Sequence, residues 1–190
     1  MDKKKIQILK TSIKLFRQKG YKETTLRDIA KKLGVTAPAL YNFMCKKDEI
    51  LVWLCDELAV YFNAILQEVE EFEGTNLEKF NFFLSRHLET VYNHYELYET
   101  ALRYWEIADE EANHRFSNYI HIYLSTFESL ANQLIPKANR DQFFNSNLFS
   151  LIVMQISNQL PQWLDKNYKP FDFLLIASQL SKRLLNGYSH

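Results

Sequence analysis

The chain has 190 residues, 47% of them apolar, with 23 basic against 23 acidic side chains and only two cysteines. That is enough apolar material for one large core, or for a small domain beside a larger one. Cys45 and Cys55 stand ten apart with no metal-ligand spacing, so the sequence suggests neither a disulfide framework nor a zinc site, and a reducing compartment is expected. No signal-peptide pattern opens the chain, because Lys10 and Lys14 interrupt the apolar residues between Ile6 and Phe16. Apolar runs such as 173–177 are far too short to span a bilayer, and a cytoplasmic protein follows as the expectation.

The zero net charge hides a division. Residues 1–47 carry a net charge of +10, so the rest of the chain carries −10. Such asymmetry favours a polyanionic partner for the first quarter of the molecule. The composition reads as all-α: valine is scarce, and Gly20, Gly34, Gly74 and Gly187 all fall where an amphipathic period breaks, as left-handed helix stops do.

Periodicity at 3.6 residues gives about nine helices. The first covers about 3–19, with Ile6, Leu9, Ile13 and Phe16 on one face. The second and third cover about 26–33 and 37–43. Thr25 is placed to cap the second, with Asp28 three residues on, and Thr36 to cap the third, whose first turn accommodates Pro38. Gly34 supplies the turn between them. Ile29, Leu33, Val35, Leu40 and Phe43 are then expected to face inward as the seam of a helix-turn-helix.

The spacing aromatic-x3-Gly-aromatic (Phe16, Gly20, Tyr21), followed by Thr24-Thr25, Ile29-Ala30, Leu33-Gly34-Val35, Leu40-Tyr41 and Lys47-x-Glu49 with Leu51, resembles the tetracycline-repressor (TetR/AcrR) family of bacterial transcriptional regulators. The match runs without a gap over about the first 51 residues. The resemblance implies a DNA-binding domain over 1–47 and an effector-binding and dimerisation domain over 48–190. It further implies that the third helix enters the major groove and that Thr25, Thr36, Tyr41 and Lys47 hold phosphates, contacts that set register without reading sequence. Capping alone would equally account for both threonines, a core position for Tyr41, and a solvated surface pair for Lys46 and Lys47.

Two departures from the family pattern stand out. After Leu40-Tyr41 come Asn42, Phe43 and Met44, so either Met44 fills an apolar pocket or Phe43 does. The exposed start of the reading helix is Ala37-Pro38-Ala39, which offers methyls and methylenes in place of hydrogen-bond donors. Apolar contact to thymine methyls is the groove chemistry left to such residues, with Arg27 supplying direct base contacts from the second helix and Asn42 and Lys46 as further DNA-binding candidates.

A long fourth helix, about 48–72 and roughly 37 Å in length, leaves this region. Thr75-Asn76-Leu77-Glu78 is a capping box opening a fifth helix to about residue 92. Three more cover about 96–107, 109–134 and 139–160, and the last about 171–186. Fifteen aromatics lie in 61–127. Most should be ordinary core, yet Phe62, Tyr92, Tyr104, Trp105, Tyr119 and Tyr123 beside His87 make a greasy site with a few polar anchors, the usual composition of a small-molecule pocket. By the resemblance this is the effector site.

No metal or cofactor is expected. His87 and His94, like His114 and His121, lie seven apart, about 10 Å along a helix axis, too far to chelate one ion. No phosphate-cradling glycine loop or nucleophile motif is present. The last two helices carry apolar residues on more than one side, which predicts a homodimer through Leu148, Ile152, Ile156, Leu174, Leu175 and Leu184. The expected function is a ligand-responsive repressor released from operator DNA by a small apolar or aromatic effector. The competing reading is an all-α small-molecule-binding protein or enzyme without DNA binding, with no catalytic constellation to support it.

Overall fold

The computed structural model describes residues 2–44, 46–134, 146–164 and 171–186. Among these, every regular element is helical. The order is α1 (Lys3–Lys19), α2 (Leu26–Leu33), α3 (Ala37–Tyr41), α4 (Asp48–Glu71), α5 (Asn76–Asn93), α6 (Tyr95–Tyr104), a 3-10 turn (Trp105–Ile107), α7 (Glu110–Leu134), α8 (Ser146–Trp163) and α9 (Phe173–Asn186). The start expected for the eighth helix at 139–145, the stop expected at Gly187, and Cys45 lie outside the described residues.

The chain forms two compact units, one of Met1–Val60 with Glu96–Asn118 and one of Tyr61–Tyr95 with Tyr119–His190. Helices α4 and α7 each contribute to both.

In the first unit the three-helix start is held by local chemistry. Thr25 accepts the Asp28 N–H while Asp28 accepts the Thr25 N–H, a reciprocal capping box. Past the end of α2, Gly34 takes the left-handed conformation at φ 72°, ψ 27°. The Val35 N–H reaches back to the Ala30 carbonyl at 3.0 Å and the Gly34 N–H to that of Lys31 at 3.2 Å, the paired closure of a Schellman turn. Thr36 then caps α3 through the Ala39 N–H. The core of this unit gathers Ile8, Leu9, Ile13 and Phe16 of α1, Ile29 and Ala30 of α2, Leu40 of α3 and Ile50, Leu51, Leu54 and Leu58 of α4.

Three expectations are corrected here. Val35 is 45% exposed, because the Schellman closure carries its backbone inward and its side chain out. Helix α3 ends at Tyr41, where the Phe43 N–H closes on the Leu40 carbonyl three residues earlier at 2.9 Å. Met44 is the residue that fills the apolar place, buried to 2% exposure, while Phe43 stays half-buried with the Lys4 ammonium 5.1 Å from its ring centroid.

Residues 96–118 complete the first unit. The Tyr104 ring packs edge-on against Phe16 at 6.2 Å and at a tilt against Tyr21 at 5.8 Å. Arg17 of α1 donates to Glu96 at 2.6 Å and Glu99 at 2.9 Å of α6. Such exposed pairs contribute about 0–1 kcal/mol each, so the aromatic packing stabilises this junction more.

The second unit packs α5 against α8 and α9. Phe80, Phe83, Leu84, Leu88 and Val91 of α5 are buried, as are Tyr123, Phe127 and Ala131 of α7, Val153 of α8 and Ala177 of α9. Thr75 and Glu78 form the expected capping box at the start of α5. Gly74 before it has no left-handed backbone; instead a Cβ there would stand 2.8 Å from a Phe72 ring carbon, so any larger residue has to displace that ring.

Gly20 is constrained differently, by its backbone. Its φ of 86° and ψ of 159° lie in a region open essentially to glycine alone, while its N–H closes α1 on the Phe16 carbonyl. Gly20→Ala is expected to cost about 1–3 kcal/mol, read as a fall in the thermal unfolding midpoint. An unchanged midpoint would show that the α1–α2 turn relaxes freely.

Candidate functional site

Along the chain from α2 to the residues before α4, the side chains of Arg27, Thr36, Pro38, Tyr41, Asn42 and Lys46 are exposed, and those of Ala37 and Ala39 are half-buried. Tyr41 is 52% exposed, which decides against a core role and leaves its phenol facing solvent. An apolar step of alanine, proline and alanine thus has exposed hydroxyl, amide, guanidinium and ammonium groups on either side of it in the chain, within a segment of net charge +10. The combination suits a phosphate backbone on the rim and base edges at the centre.

Two of the expected phosphate ligands have their protons engaged elsewhere. The Thr25 hydroxyl donates to Asp28 Oδ2 at 2.7 Å and accepts the Asp28 N–H at 3.1 Å. The same carboxylate takes the Lys19 ammonium at 2.7 Å. The hydrogen bond from Lys19, then those from Thr25, hold the Asp28 carboxyl far below the usual carboxylate range. Lys47 points its ammonium at the backbone of the α1–α2 turn, with the Tyr21 carbonyl at 2.6 Å, that of Thr24 at 2.9 Å and that of Lys22 at 3.4 Å. Sequence spacing gave the Thr25 cap but no sign of the Lys47 contacts, since Lys47 meets its carbonyls 23 to 26 residues back.

The second unit assembles part of the expected effector cluster. Phe62 stacks on Tyr123 at 4.4 Å and 20°, and Phe83 meets the same ring edge-on at 5.0 Å. His87, only 2% exposed, stands with Nδ1 3.0 Å from the Tyr123 hydroxyl and Nε2 3.3 Å from Asn158 Oδ1. A carbonyl oxygen only accepts, so Nε2 carries the proton, and Nδ1 of the neutral ring accepts from the tyrosine. Tyr92 lies in the same unit but packs on Phe171 and Phe173, at 5.3 and 5.5 Å.

Other members are not brought to this cluster. Tyr104 and Trp105 belong to the first unit, where Tyr104 packs on Phe16 and Tyr21 and Trp105 on Phe116. Tyr119 is 38% exposed on α7. Aromatic content marked these residues without saying which unit each would enter. Phe83 and Asn158 were missed. The polar pair Ser157-Asn158 interrupting an apolar helix was the available signal for the second.

On the face expected to pair two copies, Leu174 and Leu175 of α9 are each 54% exposed and Ile156 of α8 is 39% exposed. Ile152 is half-buried, and Leu151, at 49% exposure, joins the exposed set unforeseen. The side chains of Leu148 and Leu184 lie outside the described residues. No group of three metal-ligating side chains occurs among the described residues. His94 stacks on Tyr61 at 4.0 Å, and His114 and His121 are exposed.

Burial pushes the His87 pKa down from 6.5 to about 4, against a smaller opposing effect of the Asn158 hydrogen bond. Below pH 6.5 the unfolded chain therefore binds a proton that the folded chain refuses. Stability is complete above that pH and falls by about 1.4 kcal/mol per unit as pH drops toward 4. Unfolding titrations between pH 7 and 4 are expected to show a shallower acid slope for His87→Gln than for the parent protein. Equal slopes would mean that His87 takes up its proton in the folded state.

Residues 8–52 match the family described as bacterial regulatory proteins, tetR family. Over 56 residues, 30% of this chain, the sequence is 39% identical to YerO of Bacillus subtilis (strain 168), an uncharacterized HTH-type transcriptional regulator, and the match spans 19% of that protein. Over 185 residues, 97% of this chain and 95% of the other, it is 20% identical to the fatty acid metabolism regulator protein of the same bacterium. The solved structure of AibR in complex with isovaleryl coenzyme A and operator DNA superposes with a TM-score of 0.75 at 15% identity, covering 95% of this chain and 97% of that one. No helix among the described residues is long and apolar enough to cross a membrane.

Proposed function

We propose that this chain, whose residues 8–52 belong to the tetR family of bacterial regulatory proteins, is a cytoplasmic, dimeric, ligand-responsive transcriptional regulator. It acts by binding and not by catalysis, most simply as a repressor released from a palindromic operator. The observation that carries the reading is the exposure of Arg27, Thr36, Tyr41, Asn42 and Lys46 on either side of Ala37-Pro38-Ala39 in the chain, in a segment of net charge +10. Residues 1–47 form the DNA-binding domain in this reading, and 48–190 bind the effector and the second subunit.

The reading helix carries no donor at its tip, so specificity comes from methyl contacts to thymine and from Arg27 reaching base edges beside it. The effector is a small apolar or aromatic molecule bound in the second unit, near Phe62, His87 and Tyr123. A relative that regulates fatty acid metabolism and a fold neighbour with isovaleryl coenzyme A and operator DNA support an acyl-bearing ligand within that class. Binding there is communicated along α4 and α7, which are each shared between the units. A coupling of about 1–3 kcal/mol would change operator affinity roughly 5–150-fold, and operator would weaken effector binding by the same factor.

Operator fragments recovered from genomic DNA with the purified protein provide the test. The logarithm of affinity should fall linearly with that of salt concentration, with a slope of about −0.9 per phosphate contacted. A salt-insensitive affinity would overturn the reading. Tyr41→Phe should weaken all sequences alike, whereas Ala39→Ser or Arg27→Ala should change which base pairs are preferred, by about 1–3 kcal/mol at one position.

Dimerisation is tested separately. Leu175→Glu and Ile156→Glu, each at an exposed site, should sediment as folded monomers where the parent sediments as a dimer. Dimers from both variants would move the interface off α8 and α9.

A further inference from the structure

Lys47 stands immediately before the first residue of α4, at the positive end of a helix of 24 residues, which is the wrong end for a cation. The fold compensates by turning the side chain back. Its ammonium has three protons, and three carbonyl oxygens lie within reach, on Tyr21 at 2.6 Å, Thr24 at 2.9 Å and Lys22 at 3.4 Å. The same nitrogen sits 4.1 Å from the centroid of the Tyr21 ring, in cation–π contact. The Tyr21 phenol in turn donates to the Asp48 carboxylate.

These contacts join particular places in the chain. Residues 21–24 lead into the helix-turn-helix segment, and residues 47 and 48 lead out of it. The ammonium and the phenol thus tie the two ends of the reading segment together. The neighbouring Lys46 is placed differently: its side chain is exposed, and it is the backbone N–H that is engaged, with Glu49 at 3.1 Å.

We propose that Lys47 is a positioning residue whose ammonium closes the ends of the helix-turn-helix on three backbone carbonyls, and that it is not a phosphate ligand. This rests on the reading of residues 1–47 as the DNA-binding domain. Desolvation, first among the influences on this group, lowers the Lys47 pKa, while Asp48 and Glu23 act to raise it and Lys19 to lower it further. A tetrahedral ammonium fits a bowl of three carbonyls; the planar fork of a guanidinium does not, although it serves phosphate at least as well.

That difference sets the experiment, with Lys47→Arg, Lys47→Met and Lys46→Met compared in the full chain. Without DNA, both Lys47 variants should lower the thermal midpoint by about 4–8 °C, from the loss of charged hydrogen bonds, and Lys46→Met should leave it unchanged. At 10 °C, with each variant confirmed folded by circular dichroism, Lys46→Met should reduce the salt slope of operator binding by about 0.9 per subunit. Both Lys47 variants should keep the parent slope and lose at least tenfold in preference for operator over random DNA.

In the parent protein, the Lys47 amine should react with an amine-labelling reagent more slowly than that of Lys46, equally with and without operator. Three results would overturn the proposal: full operator binding by Lys47→Arg, a slope reduced by Lys47→Met as by Lys46→Met, or Lys47 protected only when DNA is added. Absence of DNA binding by the parent would instead defeat the functional reading, and the thermal and labelling measurements would still decide the role of Lys47 in the free protein.

Discussion

The left-handed backbone at Gly34, φ 72° and ψ 27°, sets the direction in which α3 leaves α2. Most of what the first unit offers a partner depends on it. The paired bonds to the Ala30 and Lys31 carbonyls close α2, turn Val35 outward and start α3 at Ala37 under the Thr36 cap. From that start the helical period alone sends Leu40 into the core and Tyr41 to the surface. A residue with a Cβ resists this backbone by about 1–2 kcal/mol, so the turn and the exposed face stand or fall together.

Given that scaffold, the basic residues of the first unit divide by where their protons go. Lys19 serves the carboxylate of the α2 capping box, Lys47 the carbonyls of the α1–α2 turn, and Arg17 two glutamates of α6. Lys4 and Lys5 cover the rings of Phe43 and Trp53. The net charge of +10 is therefore a poor count of phosphate contacts, though it is a fair measure of the field that draws a polyanion in. Those engaged cations also relieve the self-repulsion that so dense a charge would otherwise impose.

The second unit meets the opposite demand. Among the described residues its core is largely apolar and aromatic, and the His87 imidazole is admitted with both ring nitrogens partnered. Burying a neutral imidazole with two hydrogen bonds avoids most of the desolvation penalty, and it fixes the tautomer. Around it Tyr123 bonds His87 through its hydroxyl while its ring stacks on Phe62, so α4, α5 and α7 meet at one side chain.

The sequence by itself determined whatever is decided within about four residues. Helix positions followed from the apolar period, and the caps at Thr25, Thr36 and Thr75 were legible because a hydroxyl and the N–H it accepts lie three residues apart. The glycine turn, the charge division and the family motif are equally local or additive. Tertiary structure decided what depends on partners far along the chain. Met44 rather than Phe43 entered the core, and Tyr104 left the effector cluster for Phe16, 88 residues away, while Asn158 came to His87 across 71 residues. Lys47 looked like a surface cation until the turn 23 to 26 residues earlier folded beside it. Periodicity says which face of a helix is buried; the three-dimensional packing selects what that face meets, because contact energies between distant segments leave no imprint on local spacing.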